Sequence, residues 1–255
     1  MRGVSPPPYR DFYYPLNVFM HILTHEEAAV PYLHYGLFTD PRDNMWTAQE
    51  HSTEMLRERL PPPPAKVLDV GAGLGTTLAW LAIGGYDMRG ITPDEKQIAM
   101  IRARYEGLGV KCIRFEDLPP EPFDAIYFQE SSQYIDAEAI FSKAREMTKH
   151  VIVLDEFSLR PVELEGALHS LARFLEAATR HGFEVDEEID LTEAAAPTID
   201  YFNARIPRYR ETLIADLGIT EQQVDDLIAN GVRYRSLYAD GTYGYRLLQF
   251  RSAAA

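Results

Sequence analysis

The sequence sets three glycines at alternate positions behind a short apolar run, Val67-Leu68-Asp69-Val70-Gly71-Ala72-Gly73-Leu74-Gly75-Thr76-Thr77. Glycine lets a backbone turn tightly and lets a ligand approach without a Cβ in the way. Such a loop suits a nucleoside-binding turn. A dinucleotide site has the spacing G-x-G-x-x-G, with a pyrophosphate on the N-terminus of the following helix. Here the sixth position is Thr76 and the third glycine arrives one residue early. Asp69 precedes the loop, and a carboxylate there suits a ligand with a cationic part better than a pyrophosphate.

A second set of residues can move protons. His34, Glu130, Tyr134, Asp155 and Glu156 stand at expected strand ends or in the N-terminal segment. Asp155 closes the apolar run Val151-Ile152-Val153-Leu154 and is expected to face the cleft. A general base helps only where a nucleophile must lose a proton. The plainer reading of each residue is a polar cap or a hydrogen-bonded strand end. The seven histidines are scattered without H-E-x-x-H spacing. His21 and His25, four apart, can share a helix face but lack a clear third ligand, so no metal is expected. Arg205, Arg208, Arg210, Arg233 and Arg235 crowd one late stretch. Arginine forks suit carboxylate or phosphate, which raises an anionic acceptor as one expectation; a solvated helix face is the other.

These residues need elements to position them. Apolar runs at Lys66–Val70, Tyr86–Ile91, Val110–Phe115, Phe123–Phe128, His150–Asp155, Phe183–Ile189 and Tyr243–Arg251 predict strands. Helical spacing joins Ile98, Ile101 and Tyr105, and again Leu164, Leu168, Leu171 and Leu175. Thr92 as N-cap, with Pro93 in the first turn and Glu95 three residues after the cap, predicts the start of a helix. Strand–helix alternation predicts an α/β fold, a doubly wound and mostly parallel sheet covered on both faces. Ligands of such sheets bind beyond the carboxyl ends of the strands. Residues 1–64 read as an aromatic, His-rich lid ending in the proline run after Leu60. Residues 65–255 read as the main domain, with a helical insertion at about 193–242. Tyr9, Phe12, Tyr13, Tyr14, Tyr32 and Tyr35 crowd the lid; Tyr201, Phe202, Tyr209, Tyr234 and Tyr238 crowd the insertion. Either group can wall a ligand or pack as core.

The chain has 255 residues, 46% of them hydrophobic and 25% charged, the mix of a globular protein. Its formal net charge of -14 repels a phosphate backbone, so nucleic acid is not an expected partner. Cys112 is the only cysteine, which excludes an internal disulfide and a multi-cysteine zinc site. A reducing, cytoplasmic setting fits. The start lacks a signal-peptide pattern, and no run of about 18 apolar residues is present to span a bilayer.

The pattern D-x-G-x-G-x-G resembles motif I of class I S-adenosylmethionine (SAM)-dependent methyltransferases. The segment Gly90-Ile91-Thr92-Pro93-Asp94-Glu95-Lys96-Gln97 resembles the family stretch that holds the ribose hydroxyls. Phe115-Glu116-Asp117 is similar to the adenine-contacting position. Phe123-Asp124-Ala125-Ile126-Tyr127-Phe128-Gln129-Glu130-Ser131 resembles the stretch lining the methionine part and the substrate. Leu33-His34-Tyr35-Gly36-Leu37-Phe38 resembles the segment that lids the cofactor. Asp190-Leu191-Thr192, after Gly182-Phe183, is similar to the sixth strand and its exit. The resemblance implies a Rossmann-like seven-stranded sheet. It implies that Asp69, Gly71, Gly73, Gly75, Thr92, Gln97, Phe115, Glu116 and Gln129 bind SAM, with S-adenosylhomocysteine as product. Two positions depart from the pattern. Thr92 replaces the usual acid, which shifts the ribose contact toward Gln97 and Asp94. Gln133 and Tyr134 stand where some relatives carry histidine, so no imidazole base transfers.

The expectation is a SAM-dependent methyltransferase acting on a small molecule by in-line displacement, with Glu130, Asp155, His34 and Tyr134 as the candidate catalytic groups. The alternatives are SAM chemistry other than methyl transfer (cyclisation or aminocarboxypropyl transfer), a non-catalytic SAM-binding module, and a nicotinamide oxidoreductase. The sequence leaves the oligomeric state and the acceptor's identity open.

Overall fold

The structure is a computed structural model, and it describes residues 7–162 and 168–252. Helices α1 (Leu16–Glu26) and α2 (Met45–Arg57) precede the sheet. Asn44 caps α2 by accepting from the Thr47 amide at 2.8 Å. The proline run then leads into β1 (Lys66–Val70), followed by α3 (Thr76–Ile83), β2 (Asp87–Thr92), α4 (Glu95–Arg104), β3 (Val110–Cys112), β4 (Ala125–Gln129), α5 (Ala137–Ala144), β5 (His150–Ser158), α6 (Leu171–Arg180) and β6 (Phe183–Asp190). Three helices, α7 (Thr192–Arg205), α8 (Arg210–Leu217) and α9 (Glu221–Ala239), separate β6 from the last strand, β7 (Tyr243–Ser252).

The seven strands lie in the order β3-β2-β1-β4-β5-β7-β6. All neighbours are parallel except β7, which runs antiparallel to β5 and β6. The order reverses between β1 and β4, and ligands of such sheets settle at that switch point. Central strands covered on both faces read as unbroken apolar runs; Val151, Ile152, Val153 and Leu154 of β5 are all fully buried. One core, built on Phe128, Phe141, Phe174 and Phe250, fills one side of the sheet. A separate cluster joins α1 to the insertion through Met20, Leu23, Ile206 and Leu213.

Four sequence expectations change. The predicted third strand, Val110–Phe115, stops at Cys112, because residues 115–117 form a 3-10 turn that tucks Phe115 into the core. The N-cap of α4 is Asp94, not Thr92: the Asp94 carboxylate accepts from the Lys96 amide at 2.8 Å and from Gln97. Thr92 still belongs to the strand. Helix α6 starts at Leu171, so Leu168 lies outside it, because the chain there is extended: the Ser158 amide donates to the His169 carbonyl at 2.8 Å. Leu164 lies outside the described residues. Strand β5 runs three residues past the predicted Asp155, drawn out by its pairing with β7 through Ser158 and Tyr243.

Candidate active site

The loop after β1 turns beneath a cavity of about 490 Å³ at the switch point. Gly71, Gly73 and Gly75 all have positive φ, at 84°, 53° and 78°. Gly71 needs its missing side chain for the protein itself, because a Cβ there runs into Ser131. Ser131 in turn donates its hydroxyl to the Val70 carbonyl. At Gly73 a Cβ makes only ordinary contacts, with Leu33 at 3.6 Å and the Gly71 carbonyl oxygen at 3.9 Å, so its left-handed backbone is the main constraint. The Gly71 and Ala72 amides donate to Ile91, and the Gly75 amide to Ala72. With those donors spent inside the fold, the loop is poorly equipped to cradle a pyrophosphate.

The cavity brings together every residue for which the resemblance implied a cofactor role except Gly75. Asp69, Gly71, Gly73, Thr92, Gln97, Phe115, Glu116 and Gln129 line one space. Gly75 sits one turn deeper, where a Cβ would press on Ile101 at 2.9 Å. Asp69 is buried beside the Tyr127 hydroxyl, and burial pushes its carboxyl up to about 7. The Thr92 hydroxyl donates to Gln97 Oε1 at 2.8 Å, which turns the Gln97 side chain toward the cavity and leaves its NH2 as donor. Phe115 packs edge-on against Phe128, so it serves the core and the cavity wall together. Glu116 is held by Arg114 at 2.6 Å, and that contact keeps its carboxyl below the usual range.

These features fit an adenosyl sulfonium. At about 490 Å³ the space has room for a nucleoside, a buried carboxylate faces it, and Arg114, the one lysine or arginine lining it among the described residues, is paired with Glu116.

A second cavity of about 600 Å³ adjoins the first. The two share Tyr13, Leu16, Leu33, His34, Glu130 and Tyr134. Helices α1, α7 and α9 roof the second space with Phe19, Met20, Leu23, Ile199, Phe202 and Leu227. Its floor is the carboxyl ends of β4 and β5. Glu130 holds a left-handed backbone, φ 55°, where side chains other than glycine are uncommon. Its Oε1 accepts from the Tyr35 amide at 2.5 Å and from the Tyr245 hydroxyl at 2.6 Å. Burial, reinforced by the negative charges of Glu156 and Asp155, holds the Glu130 carboxyl well above the carboxylate range.

The other candidate bases separate by environment. Asp155 is buried and occupied: Oδ2 accepts from the Ser132 amide at 3.0 Å and hydroxyl at 2.6 Å, and Oδ1 from the Glu156 amide at 2.8 Å. It ties down the turn after β4 rather than standing free in the cleft. His34 is buried, and burial brings its imidazole down to about 4, so it is neutral at pH 7. Its Nδ1–H donates to the Tyr35 carbonyl at 2.9 Å. A hydroxyl chain, Thr53 to Thr77, links it to Gln129, to whose Oε1 Thr77 donates at 3.0 Å. Tyr134 is 74% exposed at the mouth, 3.4 Å from the Tyr13 hydroxyl. Glu156, pushed up to about 7 by burial, takes the hydroxyls of Tyr234 (2.9 Å) and Tyr238 on Oε1.

The arginine expectation loses its basis here. Arg205 pairs with Glu26 at 2.9 Å, Arg210 with Asp225, and Arg235 with Asp200 at 2.9 Å, while Arg208 and Arg233 are exposed. None lines either cavity. His21 and His25 do gain a third neighbour, Asp216, with ligand atoms within 4.8 Å of one another. The buried His21 ring already bonds Tyr9 at 3.3 Å and Thr212 at 3.1 Å. The residues that sequence reading missed are Tyr245 and Ser132. Tyr245 looks like any aromatic in an apolar strand, and Ser132 carries no signal until Asp155 is placed beside it.

Residues 67–152 match the methyltransferase domain family. Among curated proteins, an O-methyltransferase from Pyrenophora dematioidea is 29% identical over 195 residues, 65% of this chain and 73% of that protein. Methyltransferase GfsG from Streptomyces halstedii is 42% identical over 82 residues, a match spanning 30% of this chain and 30% of that protein. Among solved structures, mycolic acid cyclopropane synthase CmaA1, complexed with SAH and CTAB, superposes with a TM-score of 0.78 at 19% identity, covering 98% of this chain and 99% of that one. The matched segment is that of a methyltransferase domain, a family that uses SAM, and the fold of the whole chain is that of a structure complexed with SAH. No helix among the described residues is long and apolar enough to cross a membrane.

Proposed function

We propose that this chain moves a methyl group from SAM to a hydroxyl or amine of a small, largely apolar acceptor. One observation carries the reading: two cavities meet at Tyr13, Leu16, Leu33, His34, Glu130 and Tyr134, so a ligand in each can touch the other. Bound SAM supplies a methyl already activated on a sulfonium. The protein's part is to align two partners and keep water out, and such positioning supplies about 7–11 kcal/mol of a barrier.

Each residue then has a task. Asp69 balances the positive end of the cofactor, and the Gly73 turn gives its backbone room. Gln97, with Thr92 behind it and Asp94 at the helix cap, takes the ribose hydroxyls. Phe115 and Glu116 border the adenine, and Gln129 the methionine part. Helix α1 and the insertion helices roof the acceptor. Glu130 stands at the junction, where a nearby cation favours its ionised form; ionised, it accepts the acceptor's proton. Asp155 positions the turn that carries Ser131 and Ser132. His34, neutral and tied to Tyr35, supports the wall. The 29%-identical relative's name as an O-methyltransferase supports an oxygen nucleophile.

The test is incubation with methyl-labelled SAM and an extract of the native host, with products resolved by mass. The reading expects S-adenosylhomocysteine and a labelled small molecule. Methylthioadenosine as the product contradicts it and favours aminocarboxypropyl transfer.

A further inference from the structure

The second cavity has two ends of opposite character. Phe19, Met20, Leu23, Ile199 and Leu227 make its walls apolar. Glu130, Asp155 and Glu156 make its floor acidic, and among the described residues no lysine or arginine lines it. Buried carboxylates without cations are costly to ionise together, so the floor favours a ligand that brings positive charge or donated protons. Asp155 is spent on Ser132 and on the Glu156 amide.

Glu156 is built differently. Tyr234 and Tyr238, one helical turn apart on α9, both donate to its Oε1. The Tyr35 hydroxyl sits beside the same carboxylate. A carboxylate offers about four lone-pair sites, so three phenols leave at least one for a ligand. Helix α9 belongs to the insertion, so the segment that roofs the cavity also fixes its polar contact.

We propose that Glu156 is the acceptor-reading residue: the cavity takes an apolar molecule ending in a proton-donating amine or hydroxyl and refuses an anionic head. This rests on the methyl-transfer reading, and it names the class of acceptor that reading leaves open. It also accounts for the insertion's five arginines staying out of the cavity lining. An anion in this cavity would meet Glu130, Asp155 and Glu156 with no cation to offset them.

The groups facing Glu156 are Tyr35 from the N-terminal segment, Glu130 from β4, Asp155 from β5, Tyr234 and Tyr238 from α9, and Tyr243 and Tyr245 from β7. Two are acids and none is a base, so the preference for an amine head strengthens as pH rises through the titration of the floor.

The experiment is calorimetric titration of the full chain, saturated with S-adenosylhomocysteine, with decylamine, 1-decanol and decanoate below their micelle concentrations. The wild type is expected to bind decylamine at least tenfold more tightly than decanoate, with 1-decanol between them. Glu156→Gln is expected to remove most of the decylamine advantage and to leave S-adenosylhomocysteine affinity unchanged. Amine binding to the acidic outer surface would survive that substitution and count against the proposal. Tyr234→Phe keeps the carboxylate and removes one donor, so the pH of half-maximal decylamine binding should move upward. Equal affinity for decanoate and decylamine, an amine preference intact in Glu156→Gln, or an unmoved pH midpoint in Tyr234→Phe overturns the proposal. A wild type that binds S-adenosylhomocysteine but does not discriminate head groups sinks only this inference. A wild type that binds none sinks the cofactor reading instead.

Discussion

Glu130 and Tyr245 meet at 2.6 Å across strand β5: the acid directly follows β4, the phenol stands in β7, and β5 lies between those strands in the sheet. The bond brings the antiparallel edge of the sheet to the junction of the two cavities. Tyr35, from the N-terminal segment, joins the same carboxylate through its amide and stacks on Tyr245 at 5.8 Å. Two distant parts of the chain therefore hold one side chain that stands on a left-handed turn. Tyr245→Phe should retain the fold, lower methyl transfer about tenfold and leave S-adenosylhomocysteine affinity within twofold. Steady-state rates beside calorimetry check this.

Cofactor affinity should depend on pH through Asp69. Its carboxyl lies at about 7 without ligand, and a cationic ligand favours the ionised form. SAM should therefore bind more tightly as pH rises from 6 to 8, by up to tenfold per unit below the midpoint, with protons released on binding. Calorimetry in buffers of different ionisation enthalpy measures that release, and Asp69→Asn should abolish it.

The ligand-free protein should lose stability as pH rises. Asp69 and Glu156 sit at about 7 folded against about 4 unfolded. Their contribution is complete below about pH 4 and lost progressively as pH climbs to 7. His34 and His150, brought down to about 4 by burial, work in the opposite direction between about 4 and 6.5. Above pH 6.5 only the carboxylate effect of these four groups remains. Tm should therefore fall by a few degrees between pH 6.5 and 8, on the order of 1 kcal/mol per group. Thermal scans of the wild type and Glu156→Gln check it, the variant being flatter.

Asp155→Ala strips the acceptor from the Ser132 amide, the Ser132 hydroxyl and the Glu156 amide. Each buried donor left unsatisfied costs about 1–3 kcal/mol. Denaturant unfolding should show a loss in that range or above. S-adenosylhomocysteine affinity should fall as well, because the same turn carries Ser131 against Gly71.

Strands β4 and β5 were legible because they are apolar runs, and the loop because glycine readily takes the positive φ that Gly71 and Gly73 adopt. The gathering of Asp69, Gln97, Phe115, Glu116 and Gln129 was legible from resemblance, since each stands at a strand's carboxyl end or in the segment after it, and those ends converge. The cap of α4 was misplaced because Thr92 and Asp94 both suit an N-cap, and only geometry shows Asp94 taking the amides. Asp155 does face the cleft, on the floor of the second cavity, but nothing local reveals that Ser132, 23 residues earlier, claims its carboxylate. The arginines looked like an anion site because sequence shows their number and hides their partners Glu26, Asp200 and Asp225.

The central claim is that the Gly73 turn and Asp69 bound an adenosyl site. Calorimetric titration of S-adenosylhomocysteine into the wild type and Gly73→Leu, side by side, tests it most directly. The account predicts saturable one-site binding to the wild type and at least a thirtyfold loss in a variant that still unfolds cooperatively. Equal affinity in both proteins, or tight binding of NAD in place of S-adenosylhomocysteine, contradicts it.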